Sequence, residues 1–166
     1  MDITKNYWKD RIDPRTNKKH HPIAIVLHIT DSSYYSALNW IKNPDSQVSY
    51  HYLIHDGEVD KLVSEEDAAW ANGKMVKPIW KGLLVENGEV VNPNLYTISV
   101  AVASTGEIPT WKNWVKWVQL CKEILNRYDW TVNELRVVNH FEINALKSCP
   151  KAWFSRFYLN LLIRYF

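Results

Sequence analysis

The chain has 166 residues, 46% of them hydrophobic and 23% charged, a balance that suits one globular domain with a sizeable core and excludes a disordered or fibrous chain. A net charge of +2 is too small to argue for a nucleic-acid partner, and no apolar run is long enough to insert into a membrane. Two cysteines do not make a disulfide framework, whereas nine Trp and nine Tyr suggest either an aromatic-rich core or a surface that stacks on ring-shaped ligands, sugars included.

Residues 1–22 are polar, interrupted by proline, and read as a lead-in with His20 and His21 solvated. They lack the apolar run of a signal peptide, so synthesis in the cytoplasm is expected. Residues 23–27 form a continuous, largely β-branched run, the pattern of a strand buried on both faces. His28 stands at its mouth, with Thr30 two positions on and so on the same side. An imidazole there needs partners for both nitrogens; a metal would satisfy one and a carbonyl the other. Asp31 or Ser32 can cap a helix over residues 34–41 that shows Tyr35, Leu38 and Ile41 on one face.

Residues 47–54 read as a second strand, alternation placing Tyr50 and Tyr52 on one face and His51 and Leu53 on the other. Asp56-Gly57 turns it into a partner strand over 58–63. Residues 68–73 form a loop around Trp70, and 74–95 a long excursion holding a small hairpin, a usual wall for a binding groove. A central strand over 96–103, a turn at Thr105-Gly106 and a helix capped by Thr110 follow. The apolar stripe of that helix runs through Trp111, Val115, Val118, Cys121 or Lys122, Leu125 and Tyr128. Asn133 can cap a further short helix, and 151–166, with Phe154, Phe157, Tyr158, Leu161, Leu162 and Tyr165 on one side, reads as a core-closing helix. The whole is an α/β chain: one domain over 1–166, with a central mixed β-sheet flanked by helices.

Between His140 and Cys149 an imidazole, the Lys147 ammonium and a thiol fall within ten residues, before Pro150. Imidazole and thiolate together suit a borderline-soft ion such as zinc. The competing reading makes His140 a cap, Lys147 a solvated side chain and Cys149 a small core residue.

Four segments in order then carry a resemblance: Ile-Val-Leu-His-Ile-Thr at 25–30, Val-Ser-Tyr-His-Tyr-Leu-Ile-x-x-Gly-Glu-Val at 48–59, Ala-Ala-Trp-Ala-Asn-Gly at 68–73, and His-x6-Lys-x-Cys-Pro at 140–150. They are similar to the zinc-dependent N-acetylmuramoyl-L-alanine amidases, a family that includes small phage endolysins and shares its fold with the peptidoglycan recognition proteins. The resemblance implies Zn2+ held by His28, His140 and Cys149, with the fourth tetrahedral position open, as in catalytic sites. It implies peptidoglycan, glycan strand and stem peptide, as the partner of a monomer. The bond cut is the amide between N-acetylmuramic acid and L-alanine, in the manner of an endolysin or autolysin acting on the wall after release. On the same footing Lys147 would steady the oxyanion, Tyr50 would lie beside the metal, and Trp70, Asn72 and Thr30 would contact substrate. Trp70 reads equally well as core; for Tyr50 the functional reading is preferred over that of a plain sheet tyrosine with an exposed hydroxyl.

One departure matters. Many members carry a glutamate general base in the central strand, where this chain has Thr97-Ile-Ser-Val-Ala-Val102 and thus Ala101. Either the site natively works with tyrosine and lysine, or an active parent has been changed to alanine. The loss of a general base typically costs about 10²–10⁴-fold in rate. A non-catalytic peptidoglycan-binding recognition module is the alternative; it is favoured by Ala101 and opposed by the intact ligand set.

Overall fold

A computed structural model describes residues 5–105, 108–151 and 163–164. In chain order, β1 (Tyr7–Trp8) passes through a 3-10 turn, Lys9–Arg11, to β2 (Ala24–Ile29), followed by α1 (Tyr34–Lys42), β3 (Tyr52–His55), β4 (Glu58–Lys61) and β5 (Ala68–Ala69). The small hairpin β6 (Val85–Glu86) and β7 (Glu89–Val90) precedes β8 (Thr97–Val102), α2 (Trp111–Arg127), β9 (Val137–Asn139) and α3 (His140–Ile143). The central sheet has five strands in the order β4-β3-β8-β2-β9. β3, β8, β2 and β9 run parallel and β4 is antiparallel to β3. Every residue of β2 and β8 is buried, which is why both runs lack polar alternation.

The β3–β4 hairpin closes through Asp56 (φ 46°) and Gly57 (φ 82°). That is the left-handed pair a two-residue hairpin turn requires to match strand twist. α2 covers one sheet face, packing Trp117, Val118, Cys121, Ile124 and Leu125 on Ile25, Leu27, Ile98, Val100, Tyr52 and Ile54. Pleat alternation sends Val26, His28, Ser99, Ala101 and Leu53 to the other face. There α1 lands through Ala37 and Ile41 on Leu53 and Ala101, while Val26, Val138, Tyr96, Trp80 and Ile143 form a second apolar cluster.

Several expectations are corrected. Residues 47–51 are irregular, so the alternation fails at its start: Tyr50 packs with Leu53, and Tyr52 lies on the α2 side. Ser33, rather than Asp31 or Ser32, caps α1, and its buried residues are Ala37 and Ile41, whereas Tyr35 is 75% exposed. On α2, Val118, Cys121 and Leu125 are buried as expected, but Trp111 is exposed and Trp117 and Ile124 join the stripe. Asn133 caps a turn, accepting from the Leu135 and Arg136 N–H groups, and the chain then enters edge strand β9 in place of a helix.

The lead-in is part of the body. β1 pairs with β5, His20 is buried, and the fully buried Arg11 donates from Nε to the Glu65 carbonyl (2.7 Å) and from Nη1 to the carbonyls of Leu95 and Thr97 (3.1 Å each). That guanidinium satisfies carbonyls that two long loops would otherwise leave unpaired. Of the expected closing helix only Lys151, which is not helical, Ile163, in the α2-side core, and Arg164 are described; Phe154, Phe157, Tyr158, Leu161, Leu162 and Tyr165 lie outside the described residues, as does Gly106. The expected hairpin in 74–95 is present, and both cysteines are free, Cys121 in the core.

Candidate metal centre and adjoining groove

Three donors from distant parts of the chain meet at the carboxyl ends of the parallel strands, the edge where open α/β sheets place ligands. His28 is the next-to-last residue of β2. β9 pairs with β2 through Leu27 and Asn139, so His140, next in sequence, comes out beside His28, with ring centroids 4.5 Å apart. The chain then loops back. The Phe141 N–H donates to the Cys149 carbonyl (3.1 Å), and the Cys149 sulfur accepts from the Ile29 N–H (2.9 Å), one residue beyond His28. Lys151 Nζ ties the end of the loop to Asp31 at 2.7 Å. One ligand atom from each of His28, His140 and Cys149 lies within 4.8 Å of the other two.

The electrostatics favour neutral, lone-pair-bearing groups. Burial, with His140 second, holds the His28 imidazole well below its ordinary value. Burial also lowers His140 to about 4 and pushes the Cys149 thiol up to about 12. His140 Nε2 donates to the Asn72 carbonyl at 2.9 Å, which leaves Nδ1 as its lone-pair nitrogen. His28 Nε2 is buried and has no hydrogen-bond partner among the described residues. An orphaned buried nitrogen costs free energy unless something satisfies it. Metal–ligand distances of about 2.0–2.3 Å need these donors only slightly closer together, so the set fits an N/N/S-coordinated ion.

The other candidates divide. The half-buried Tyr50 ring stands 5.2 Å from the His28 ring, and Lys147 is exposed but near enough to depress both histidines. Ala101 is the register partner of His28 on β8, fully buried against α1. Thr30 and Tyr50 line a cleft of about 250 Å³ along α1. Asn72 does not face it: the residue is fully buried, and its Nδ2 donates to Thr97 Oγ1 (3.1 Å). Trp70 is half-buried against Trp8, with rings 5.6 Å apart, and is not among the residues lining that cleft. His51 is no donor to the centre; it is buried, with Arg11 Nη2 at 2.9 Å from its Nε2 and Ser99 Oγ at 2.8 Å from its Nδ1.

Two contributors escaped sequence reading. Asn94 Oδ1 accepts from the Ala71 and Asn72 N–H groups (3.1 and 2.9 Å) and so fixes the carbonyl that orients His140. Its only sequence signal was Asn-Pro-Asn turn chemistry at 92–94. Trp40, 56% exposed, lines the α1 cleft; its spacing from Ser36 by four residues was the available clue. Residues of 74–95 line a second cleft, of about 480 Å³, with Trp8 and Arg15 of the N-terminal segment.

Comparison with known proteins gives a consistent answer. A family model for N-acetylmuramoyl-L-alanine amidase matches residues 18–152. N-acetylmuramoyl-L-alanine amidase A of Achromobacter lyticus is 41% identical over 49 residues, 28% of this chain and 28% of that protein. Among solved structures, E. coli AmiD in complex with anhydro-N-acetylmuramic acid-L-Ala-D-gamma-Glu-L-Lys superposes with a TM-score of 0.68 at 22% identity, over 89% of this chain and 59% of that one. The catalytic domain of XlyA gives 0.66 at 18% identity, over 94% and 97% of the two chains. The chain thus spans well under two thirds of the curated relative and of AmiD. No described helix is long and apolar enough to cross a membrane.

Proposed function

Given that the chain belongs to the N-acetylmuramoyl-L-alanine amidase family, we propose that it hydrolyses the amide joining N-acetylmuramic acid to L-alanine in bacterial peptidoglycan. We take 1–166 as one catalytic domain of the endolysin or autolysin kind, working as a monomer on the wall after release. The excursion 74–95 would form one wall of its groove. The observation that carries the reading is the convergence of two imidazoles and a thiol within 4.8 Å at the strand ends.

His28, His140 and Cys149 would hold zinc. When bound, zinc polarises a carbonyl oxygen and brings the pKa of a water to roughly 7. The Asn72 carbonyl keeps His140 in the tautomer that presents Nδ1. Burial raises the Tyr50 phenol, so it stays protonated at neutral pH and its O–H can donate to the scissile carbonyl oxygen. Lys147, an exposed cation beside the two histidines, would balance negative charge growing on that oxygen and offer a proton to the departing alanine nitrogen. With a methyl group at Ala101, no carboxylate shares this sheet row with His28. We infer that tyrosine and lysine carry the proton traffic.

The test is release of new N-terminal alanine from purified cell walls, read by amine labelling and mass spectrometry. It should vanish with a chelator, return with zinc, and fall about 10²–10³-fold in kcat for Tyr50→Phe or Lys147→Ala. Metal-independent hydrolysis, or release of reducing sugar instead of alanine, would sink this reading.

A further inference from the structure

The N-terminal segment, whose Arg11 precedes the stretch 18–152 that matches the family model, is built into the support of the metal centre. β1 pairs Tyr7 and Trp8 with Ala69 and Ala68, the residues that lead into Asn72. Asn6 adds a second hold: its carbonyl accepts from Ser49 Oγ, which in turn accepts from the Trp70 N–H at 2.8 Å. Asp10 and Arg11 then both take left-handed backbone conformations, with φ 55° and 51°. Two non-glycine residues persist in that region only where their surroundings hold them, and such strain collects at functional sites. Here it accompanies an arginine side chain that ends in the interior, 1% exposed.

Inside, the guanidinium meets the backbone of the residues that hold Asn72. Nη1 donates to the carbonyls of Asn94 (3.3 Å) and Thr97 (3.1 Å). The side chains of those same two residues hold Asn72: Asn94 Oδ1 accepts its N–H (2.9 Å), and Thr97 Oγ1 accepts from its Nδ2 (3.1 Å). The Asn72 carbonyl then accepts the Nε2 hydrogen of His140. Every member of this relay is buried, so a shift at Arg11 cannot be absorbed by water. Burial lowers the guanidinium to about 10, yet it stays charged at neutral pH, and its bonds to carbonyls are of the stronger, charge-assisted kind.

From this relay we propose that Arg11 is a positioning residue of the metal centre, fixing through Asn94, Thr97 and Asn72 the direction in which His140 presents Nδ1. The proposal rests on the reading of His28, His140 and Cys149 as zinc ligands and adds that a segment outside the matched stretch helps set their geometry. Lysine is no substitute at this position: an ammonium is a point donor, whereas the five N–H groups of a guanidinium lie in one rigid fork. Arg11 uses that fork in full, since it also holds the carbonyls of Glu65 and Leu95 and meets His51 Nε2 at 2.9 Å. A plain structural clasp, by contrast, would stabilise the fold and leave the surroundings of the ion unchanged.

The experiment measures zinc affinity by chelator competition, together with the visible spectrum of the cobalt-loaded protein, whose bands follow ligand geometry. Arg11→Lys and Thr97→Val should each weaken zinc binding about tenfold and shift the cobalt bands. Ile124→Val in the α2-side core, a control that costs stability away from the relay, should do neither. Because Arg11 acts through Asn94, Arg11→Lys combined with Asn94→Ala should bind zinc about as weakly as Asn94→Ala alone. Arg11→Gln, which drops the buried charge and keeps two donors, takes the same place in the cycle if Arg11→Lys does not fold. If the Arg11 variant melts lower while its zinc affinity and cobalt spectrum match the parent, Arg11 is a structural clasp and the proposal is overturned. It is overturned equally if the losses from Arg11 and Asn94 simply multiply. A parent that binds no zinc would sink the zinc reading and this role with it, whereas a parent that binds zinc no better than its Arg11 variants sinks the positioning role alone.

Discussion

The backbone carbonyl of Asn72 accepts the Nε2 hydrogen of His140 at 2.9 Å, and this contact decides which imidazole nitrogen is left for a metal. Asn94 holds that carbonyl in place through two N–H groups. Removing a group that orients a ligand typically costs about 10–100-fold in metal affinity. Asn94→Ala should therefore weaken zinc binding by about that factor in a chelator competition, and Asn94→Asp, which keeps the acceptor, should recover most of it. A lower melting temperature with unchanged zinc affinity would make Asn94 a purely structural residue.

Cys149 is expected to give up its proton on ligation. Burial keeps the thiol raised to about 12 without metal, so it is protonated at neutral pH, and only the thiolate binds zinc. Zinc added to the apo protein at pH 7.5 should release a proton per ion, seen as a buffer-dependent heat in calorimetry. Cys149→Ser should remove both the proton release and stoichiometric binding. Retention of tight one-to-one zinc in that variant would take the sulfur out of the site.

Ala101 sits in a sealed apolar row, between His28 and Leu53 and under Ala37 of α1. A glutamate there must displace packed groups, at about 1–3 kcal/mol for overpacking and more for an ionised carboxylate. Ala101→Glu should lower the melting temperature and change kcat by less than about tenfold. A gain of a hundredfold or more would instead identify a centre that lacks its intended base.

Acid should loosen the apo protein through its histidines. His140 titrates near 4 when folded against an ordinary value of 6.5, so between those limits the unfolded chain binds more protons. Stability is fully present above pH 6.5 and falls as the pH drops toward 4. His140 alone accounts for about 3 kcal/mol of the loss, and His28 shifts in the same direction. Urea melts from pH 7 to 4.5 in chelator should show the decline, and excess zinc near neutrality should raise the midpoint by mass action. A flat profile in chelator would mean the imidazoles are hydrated in the folded state.

How far the sequence carried can be judged residue by residue. His28 was legible because a lone imidazole in an otherwise apolar run stands out, and the His140-to-Cys149 stretch because three reactive groups crowd ten residues. The parallel sheet followed from two runs with no polar alternation. Tyr50 was placed on the wrong face because pleat logic was extended into 47–51, where the chain is not yet a strand. The phase of α1 slipped for a related reason: the helix approaches the sheet on small Ala37, above Ala101, and outward-pointing Tyr35 looked more like core. Asn72 was expected as a substrate contact and instead works through its backbone carbonyl, and Arg11 was not read at all, since both roles depend on carbonyls that only the folded chain brings within reach.

The centre's donors sit at positions 28, 140 and 149. A chain emerging from the ribosome up to Asn139 holds one of the three and has nothing with which to retain an ion. Metal capture is thus deferred until the chain through Cys149 is out and β9 has docked beside β2, so that loading should mark the completed β2–β9 pairing.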